Sequence, residues 1–181
     1  MTLYATPYST NKRLTESYAN IFNRVDHDEW ACILDGDAMF TTRTFGHQIQ
    51  EVIDKHGSNY KVLTCMTNRV ANTQQVVPGT WDSNDISYHR AKGDEIWDSW
   101  FTQVDDITNS SLFSGVMILM QGKTWRQMES ALEASSRMML GVDNDIHQEA
   151  KKLGYKVGLM RGIYVMHYYR GGDKRDTKHL K

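Results

Sequence analysis

The sequence predicts an α/β fold built on a mixed, mostly parallel sheet flanked by helices. Short apolar runs rich in strand formers alternate with longer segments whose apolar residues recur every three or four positions. One of the runs, Trp30-Ala31-Cys32-Ile33-Leu34, stops abruptly at Asp35-Gly36-Asp37. Two carboxylates then stand where a buried strand leaves the core, the usual place of a ligand crevice in an open α/β sheet. The length, 181 residues, suits one domain over residues 1–170 and a polar, Lys- and Arg-rich tail over 171–181.

The elements follow in order. Residues 3–6 form a short strand stopped by Pro7, and the polar Ser9-Thr10-Asn11 can cap a helix over 12–25, where Leu14, Tyr18, Ile21, Phe22 and Val25 share a face. The strand into Asp35 comes next. Ile49, Val52 and Ile53 predict a helix over 45–56, with Gly57 as its stop. Residues 60–66 read as a second buried strand ending at Thr67-Asn68-Arg69. A polar stretch over 71–84 turns at Pro78-Gly79. A helix over 86–107, interrupted near Gly93, precedes a strand over 112–120 that contains Gly115, and a glycine inside a strand often permits close backbone approach by a ligand. A helix over 123–140 carries Met128, Met138 and Met139 as packing residues. Asp143-Asn144-Asp145 opens the next helix, which runs to Lys152 and ends at Gly154; acidic residues suit its first turn. Residues 155–160 and 163–166 are the last strands, before His167-Tyr168-Tyr169-Arg170.

Composition narrows the function classes. A formal net charge of −1 gives no global pull toward nucleic acid or membrane surfaces, so neither is expected as a partner. No apolar stretch reaches the ~20 residues of a membrane helix, and the first residues do not read as a signal peptide. Cys32 and Cys65 both fall in strand-like runs and read as small core residues of a reducing, cytoplasmic compartment.

The chemistry centres on Asp35 and Asp37. Two neighbouring carboxylates repel unless a cation or proton lies between them, and a hard divalent ion shared with phosphates is the functional reading; a polar turn is the structural one. His167, at the end of the last strand, is either a third ligand, favouring Mn²⁺ over Mg²⁺, or a hydrogen-bonded strand-end histidine. Arg170 and Arg69 have the guanidinium fork that suits phosphate, with surface pairing as the alternative. Asp143 at a helix start reads equally as a cap, and Asp145 two residues on is placed to act as a general base. Trp125 is the tryptophan best placed to stack on a sugar, although tryptophans are more often core.

This ordered set resembles the GT-A glycosyltransferases, and most of all their short, family 2-like members of bacterial and phage type. Ile33-Leu34-Asp35-Gly36-Asp37 is similar to their metal motif, Ser114-Gly115 to a later strand element, Asp143-Asn144-Asp145 to their acidic pair, and Val165-Met166-His167-Tyr168-Tyr169-Arg170 to the segment with the late metal histidine. The resemblance covers residues 3–170. It implies a GT-A-like, Rossmann-like fold and transfer of a sugar from a nucleoside diphosphate-sugar, UDP-linked by expectation, to a glycan or other hydroxyl acceptor with inversion. It implies Mn²⁺ or Mg²⁺ on Asp35, Asp37 and His167, and Asp145 as catalytic base. Nucleotide contacts are then expected from Thr6, Pro7, Tyr8, Asn11, Arg13, Asp35, Gly36 and Arg170, and sugar or acceptor contacts from Asn68, Arg69, Gly115, Trp125 and Asn144. The chain departs from the family in an abbreviated N-terminal half, which leaves base recognition to Thr6, Pro7, Tyr8 and Asn11. Asn144 replaces the usual glutamate, and residues 130–140 stand where a Gly-Gly-Phe element is common.

Two other readings stand beside this one. Haloacid dehalogenase-type phosphatases also place Asp-x-Asp after an apolar strand, with the first aspartate as nucleophile, but Met39 occupies their Thr or Val position. A non-catalytic binder of nucleotide-sugars would keep the same fold.

Overall fold

The computed structural model describes residues 1–10, 13–110, 112–134 and 141–168. Asn11, Tyr169, Arg170, Met138, Met139 and the tail over 171–181 lie outside the described residues. Among the described residues, the elements in chain order are β1 (Thr2–Ala5), α1 (Leu14–Phe22), β2 (Trp30–Leu34), β3 (Ala38–Phe40), α2 (Phe45–His56), β4 (Tyr60–Thr67), a short 3₁₀ turn (Thr73–Gln75), α3 (Ile86–Trp100), β5 (Val104–Asp106), β6 (Met117–Gln121), α4 (Gly122–Glu133), α5 (Val142–Lys152) and β7 (Lys156–His167).

The strands make one seven-stranded sheet in the order β1-β2-β6-β4-β7-β3, with β5 also on β7. It is mixed, but not mostly parallel as expected. Among the described residues β1·β2 and β4·β7 are the parallel strand pairs, while β2·β6, β4·β6, β3·β7 and β5·β7 are antiparallel. The reason is that β6 inserts antiparallel between β2 and β4, and β7 takes two short strands end to end on its outer edge. The last strands expected from the sequence are one strand of 12 residues, β7, whose register against β4 shifts after Cys65·Met160, so that Met66 faces Tyr164.

The apolar runs are continuous because both faces of the sheet are covered. Along β2, Ala31 and Ile33 pack with Tyr18, Phe22, Trp125 and Ile146 on one side. Trp30 and Cys32 pack with Ile49, Val52 and Ile53 of α2 on the other. Cys32 and Cys65 are buried free thiols, as read from the sequence.

Gly57 caps α2 directly after His56, as the sequence predicts, while Gly93 and Gly115 differ from expectation. Gly57 is right-handed (φ −63°), and a Cβ there would come within 2.7 Å of the Ile53 carbonyl and 2.8 Å of Trp30. Gly93 does not interrupt α3; the helix is continuous and ends at Trp100. Gly115 precedes β6 rather than lying in it.

Alanine at position 93 isolates one packing constraint. It would gain about 1 kcal/mol of helix propensity, but its Cβ would fall 2.2 Å from Thr41 Oγ1, which is held by donating to the Tyr164 carbonyl at 2.8 Å. Overpacking of a fixed neighbour typically costs about 1–3 kcal/mol. Gly93→Ala is therefore expected to lower the midpoint of thermal unfolding by several degrees, and a rise would show that Thr41 yields without loss.

Candidate metal centre and adjoining cavity

Asp35 leaves the core at the end of β2, its backbone N–H donating to the Val116 carbonyl at 3.0 Å. A tight turn follows, closed by Ala38 N–H to Asp35 O at 3.1 Å, and the chain enters β3 at once. β3 pairs antiparallel with the end of β7 in the register Ala38·His167, Met39·Met166, Phe40·Val165. That register sets Asp37 beside His167, although 130 residues separate them. Nε2 of His167 lies 3.1 Å from Oδ1 of Asp37, and one ligand atom from each of Asp35, Asp37 and His167 falls within 4.8 Å of the other two.

His167 is oriented by Asn68 and Arg69. Its backbone N–H donates to Asn68 Oδ1 at 2.7 Å, and its Nδ1–H donates to the Arg69 carbonyl, also at 2.7 Å. A carbonyl only accepts, so Nδ1 carries a proton. Nε2 then has a lone pair for a metal in the neutral ring, or a second proton for Asp37 in the charged ring. Metal-binding histidines are commonly fixed by such a bond at the other nitrogen.

Charge at the cluster is unevenly shared. Burial pushes the Asp35 carboxyl up to about 6, with Asp37 and Asp143 adding to the rise and His167 opposing it. The hydrogen bond from His167 holds Asp37 below the usual carboxylate range, against partial burial, and the imidazole charge adds to the effect. Burial alone would lower the His167 imidazole; the Asp37 hydrogen bond and charge, the Arg69 carbonyl and Asp35 outweigh it and raise the group. As pH falls, protons on Asp35 and His167 bring in positive charge of the kind a divalent cation would bring. Two carboxylates and one correctly oriented imidazole fit Mn²⁺, and less specifically Mg²⁺.

A cavity of about 490 Å³ adjoins the cluster, bordered by Asn72, Thr73, Ser114, Gly141, Asp143 and Asn144 among others. Successive residues link the two. Gly115 N–H donates to Asp143 Oδ2 at 2.8 Å, and the Val116 carbonyl accepts from Asp35 N–H. Gln75, buried in the polar stretch, braces the same strip: its Oε1 accepts from Ser114 N–H at 2.7 Å, and its Nε2 donates to the Thr64 hydroxyl and the Cys65 and Ser114 carbonyls. Asn72 donates through Nδ2 to the Leu112 carbonyl at 2.7 Å. Neither residue carries a periodic signal in the sequence. Their importance comes from the fold bringing loop 71–75 against loop 112–115.

The other expected site residues divide. Thr6 lies next to the metal turn, since a Cβ on Gly36 would stand 3.6 Å from its Cγ2. Pro7 is half-buried and Tyr8 is exposed, its carbonyl accepting from the Ser17 hydroxyl. Arg13 is exposed and pairs with Glu16 at 2.9 Å. Asn144 borders the cavity, while Asp145 is half-buried in the first turn of α5 and does not border it. Asn11 and Arg170 fall outside the described residues.

Four expectations need correction. Trp125 cannot be a sugar platform, because it is fully buried and stacks on Phe22 with ring centroids 4.9 Å apart. Arg69 is buried and turned into the loop after β4, donating to the carbonyls of Trp81 and Ser83, so it is neither a surface pair nor a phosphate fork. Asn68 is fully buried and spends its Oδ1 on His167. The close neighbour that Gly115 admits is Asp143, whose Cβ would lie 2.8 Å from an added Cβ, rather than a ligand.

An aspartate raised to about 6 contributes stability that is complete below its unfolded value, near 4, and lost as pH climbs through 6. At pH 7 the metal-free protein has lost it. Asp35→Asn should therefore stabilise the metal-free protein at pH 7 by about 1–2 kcal/mol, seen as a rise in midpoint of a few degrees. The gain should vanish near pH 4, and Mn²⁺ affinity should fall about a hundredfold or more. A destabilised variant that still binds Mn²⁺ would contradict the assignment.

Comparison with protein-family models and with curated protein sequences finds no match to this chain.

Proposed function

We propose that the chain transfers a sugar from a nucleoside diphosphate-sugar, UDP-linked by expectation, to an acceptor hydroxyl with inversion. The observation that carries this reading is the convergence of Asp35, Asp37 and His167 at one end of the sheet. The polar cavity bordered by Asp143 and Asn144 supports it, being held to the cluster by a shared strip of backbone.

In this reading Asp37 and His167 hold Mn²⁺ or Mg²⁺ with Asp35. Held there, it would supply positive charge for the departing diphosphate. Thr6, beside the Asp-Gly-Asp turn, contacts the nucleotide together with Tyr8 and the neighbouring residues of its loop. The amides and hydroxyls of Asn72, Thr73, Ser114 and Asn144 suit a hydroxyl-rich acceptor. Asp143 acts as a strut, both of its oxygens accepting backbone N–H bonds, from Gly115 and from Asn144. Asp145, two residues beyond Asp143 in the first turn of α5 and outside the cavity wall, is the base of this reading: it takes the proton of an acceptor hydroxyl that reaches past the wall, as that oxygen attacks the anomeric carbon and the C–O bond to the diphosphate breaks. Attack from the face opposite the leaving group inverts the centre.

A thermal-shift screen of nucleotide-sugars, with and without Mn²⁺, tests the reading. The true donor is expected to raise the midpoint by about 5–10 °C at a hundredfold excess over Kd, and only with metal. Asp145→Asn should keep that shift and lower turnover by about 10²–10⁴-fold. If no nucleotide-sugar shifts the midpoint in either condition, sugar transfer is wrong. If Asp145→Asn turns over normally, Asp145 is not the base.

A further inference from the structure

A second cavity, of about 380 Å³, has a different character from the first. Its wall is apolar, made by Met66, Val76, Val77 and Ile96, and it ends at Trp100 and Arg161. None of these residues belongs to the metal cluster. The volume lies within the range of small-ligand pockets.

Arg161 is the one charged residue of the lining, and its partners are weak. The guanidinium stacks on the Trp100 ring at 4.7 Å from the centroid. Its Nη1 points at the Met66 thioether at 3.6 Å, a poor acceptor, and its Nε lies 3.6 Å from Asp105, within ion-pair range but beyond a normal hydrogen bond. Asp105 itself accepts from Gln103. A rigid fork of five donors thus borders an apolar chamber, with the long ion pair to Asp105 as its one oxygen partner among the described residues. An arginine in that state suits an anion, and the chamber behind it suits an apolar body.

The backbone around Arg161 is irregular in two independent ways. The register shift between β4 and β7 leaves residues 161–163 without partners on β4, and bulged residues of this kind re-aim side chains beside binding sites. Opposite them Phe101 ends α3 at φ +42°, a left-handed backbone that is strained for a bulky residue. The two irregularities interlock. A Cβ on Gly162 would overlap the Phe101 carbonyl, and Arg161 N–H donates to Gln103 O at 2.9 Å. Trp100, 40 % exposed, directly precedes Phe101 and lines the cavity with its ring against the guanidinium.

We propose that this cavity binds a small planar aromatic carboxylate, its ring against Trp100 and the Met66–Ile96 wall and its carboxylate bidentate on Arg161. The inference is independent of the sugar-transfer reading, because no lining residue has a role there.

Titration of the full chain with 2-naphthoate, followed by the methyl resonances of Met66, Val76, Val77 and Ile96, tests it. Saturable shifts of those methyls are expected, and 2-naphthamide should bind about tenfold or more weakly for lack of charge. Arg161→Gln should weaken naphthoate to the level of the amide and leave the amide unchanged. Trp100→Leu, at a position 40 % exposed, should weaken both. Binding of naphthoate that ignores Arg161, shifts confined to other residues, or no saturable binding at all would overturn the proposal. So would a monomer–dimer equilibrium abolished by Trp100→Leu together with no naphthoate binding, which would make the chamber a contact with a second copy.

Discussion

The pairing of β3 with the end of β7 is the constraint on which the candidate centre rests. Asp35 and Asp37 are neighbours by sequence, but a metal site needs a third group, and His167 is 130 residues from Asp37. Three residues of antiparallel ladder, Ala38 to Phe40 against Val165 to His167, bring it there. The strand is short, and β7 is already paired along its other edge by β4, so the position of His167 is inherited from the middle of the sheet. Asn68 and Arg69, at the end of β4, complete the fixation by accepting both N–H groups of the histidine that face them. A one-residue slip of β3 would turn its side chains to the other face and part the aspartate from the imidazole.

The cluster is held at a cost to stability. A carboxyl pushed up to about 6 by burial and by two neighbouring carboxylates is one that the fold has not neutralised from within. Among the described residues the partial remedy is the imidazole, already engaged by Asp37. A polar turn with no further purpose has no need to draw Asp35 half inside, when Gly36 and Asp37 beside it are exposed. A cation relieves the same repulsion that protons relieve in the metal-free protein, and it does so without requiring a lower pH. The neighbouring cavity reinforces the point, since Gln75 and Asp143 are spent on holding the strip 114–116 in place beside Asp35.

How much of this could be read from residues alone depends on the distance over which each decision is made. Strand β2 was legible because burial on both faces writes an unbroken apolar run, and α2 because Ile49, Val52 and Ile53 mark one stripe. The Asp-Gly-Asp turn and the late histidine were legible as types at strand ends. Trp125 misled because a large aromatic looks the same in a core as on a binding surface; only the stack on Phe22 distinguishes them. Arg69 and Asn68 misled for the opposite reason, since polar residues after a strand suggest solvent, and their burial depends on β7 and the loop to Ser83. The antiparallel insertion of β6 is likewise a long-range choice that no local pattern records. Gln75 and Asn72 became informative only when the two loops they join were side by side.

The central claim is that Asp35, Asp37 and His167 ligate one divalent ion. Crystals grown or soaked with Mn²⁺, with diffraction recorded near the manganese absorption edge, test it most directly. The account predicts one strong anomalous peak within bonding distance of a carboxylate oxygen of Asp35, one of Asp37 and Nε2 of His167, with Nδ1 still donating to the Arg69 carbonyl. An anomalous map empty at that position at saturating Mn²⁺, or a His167 ring turned away from both aspartates, would contradict it.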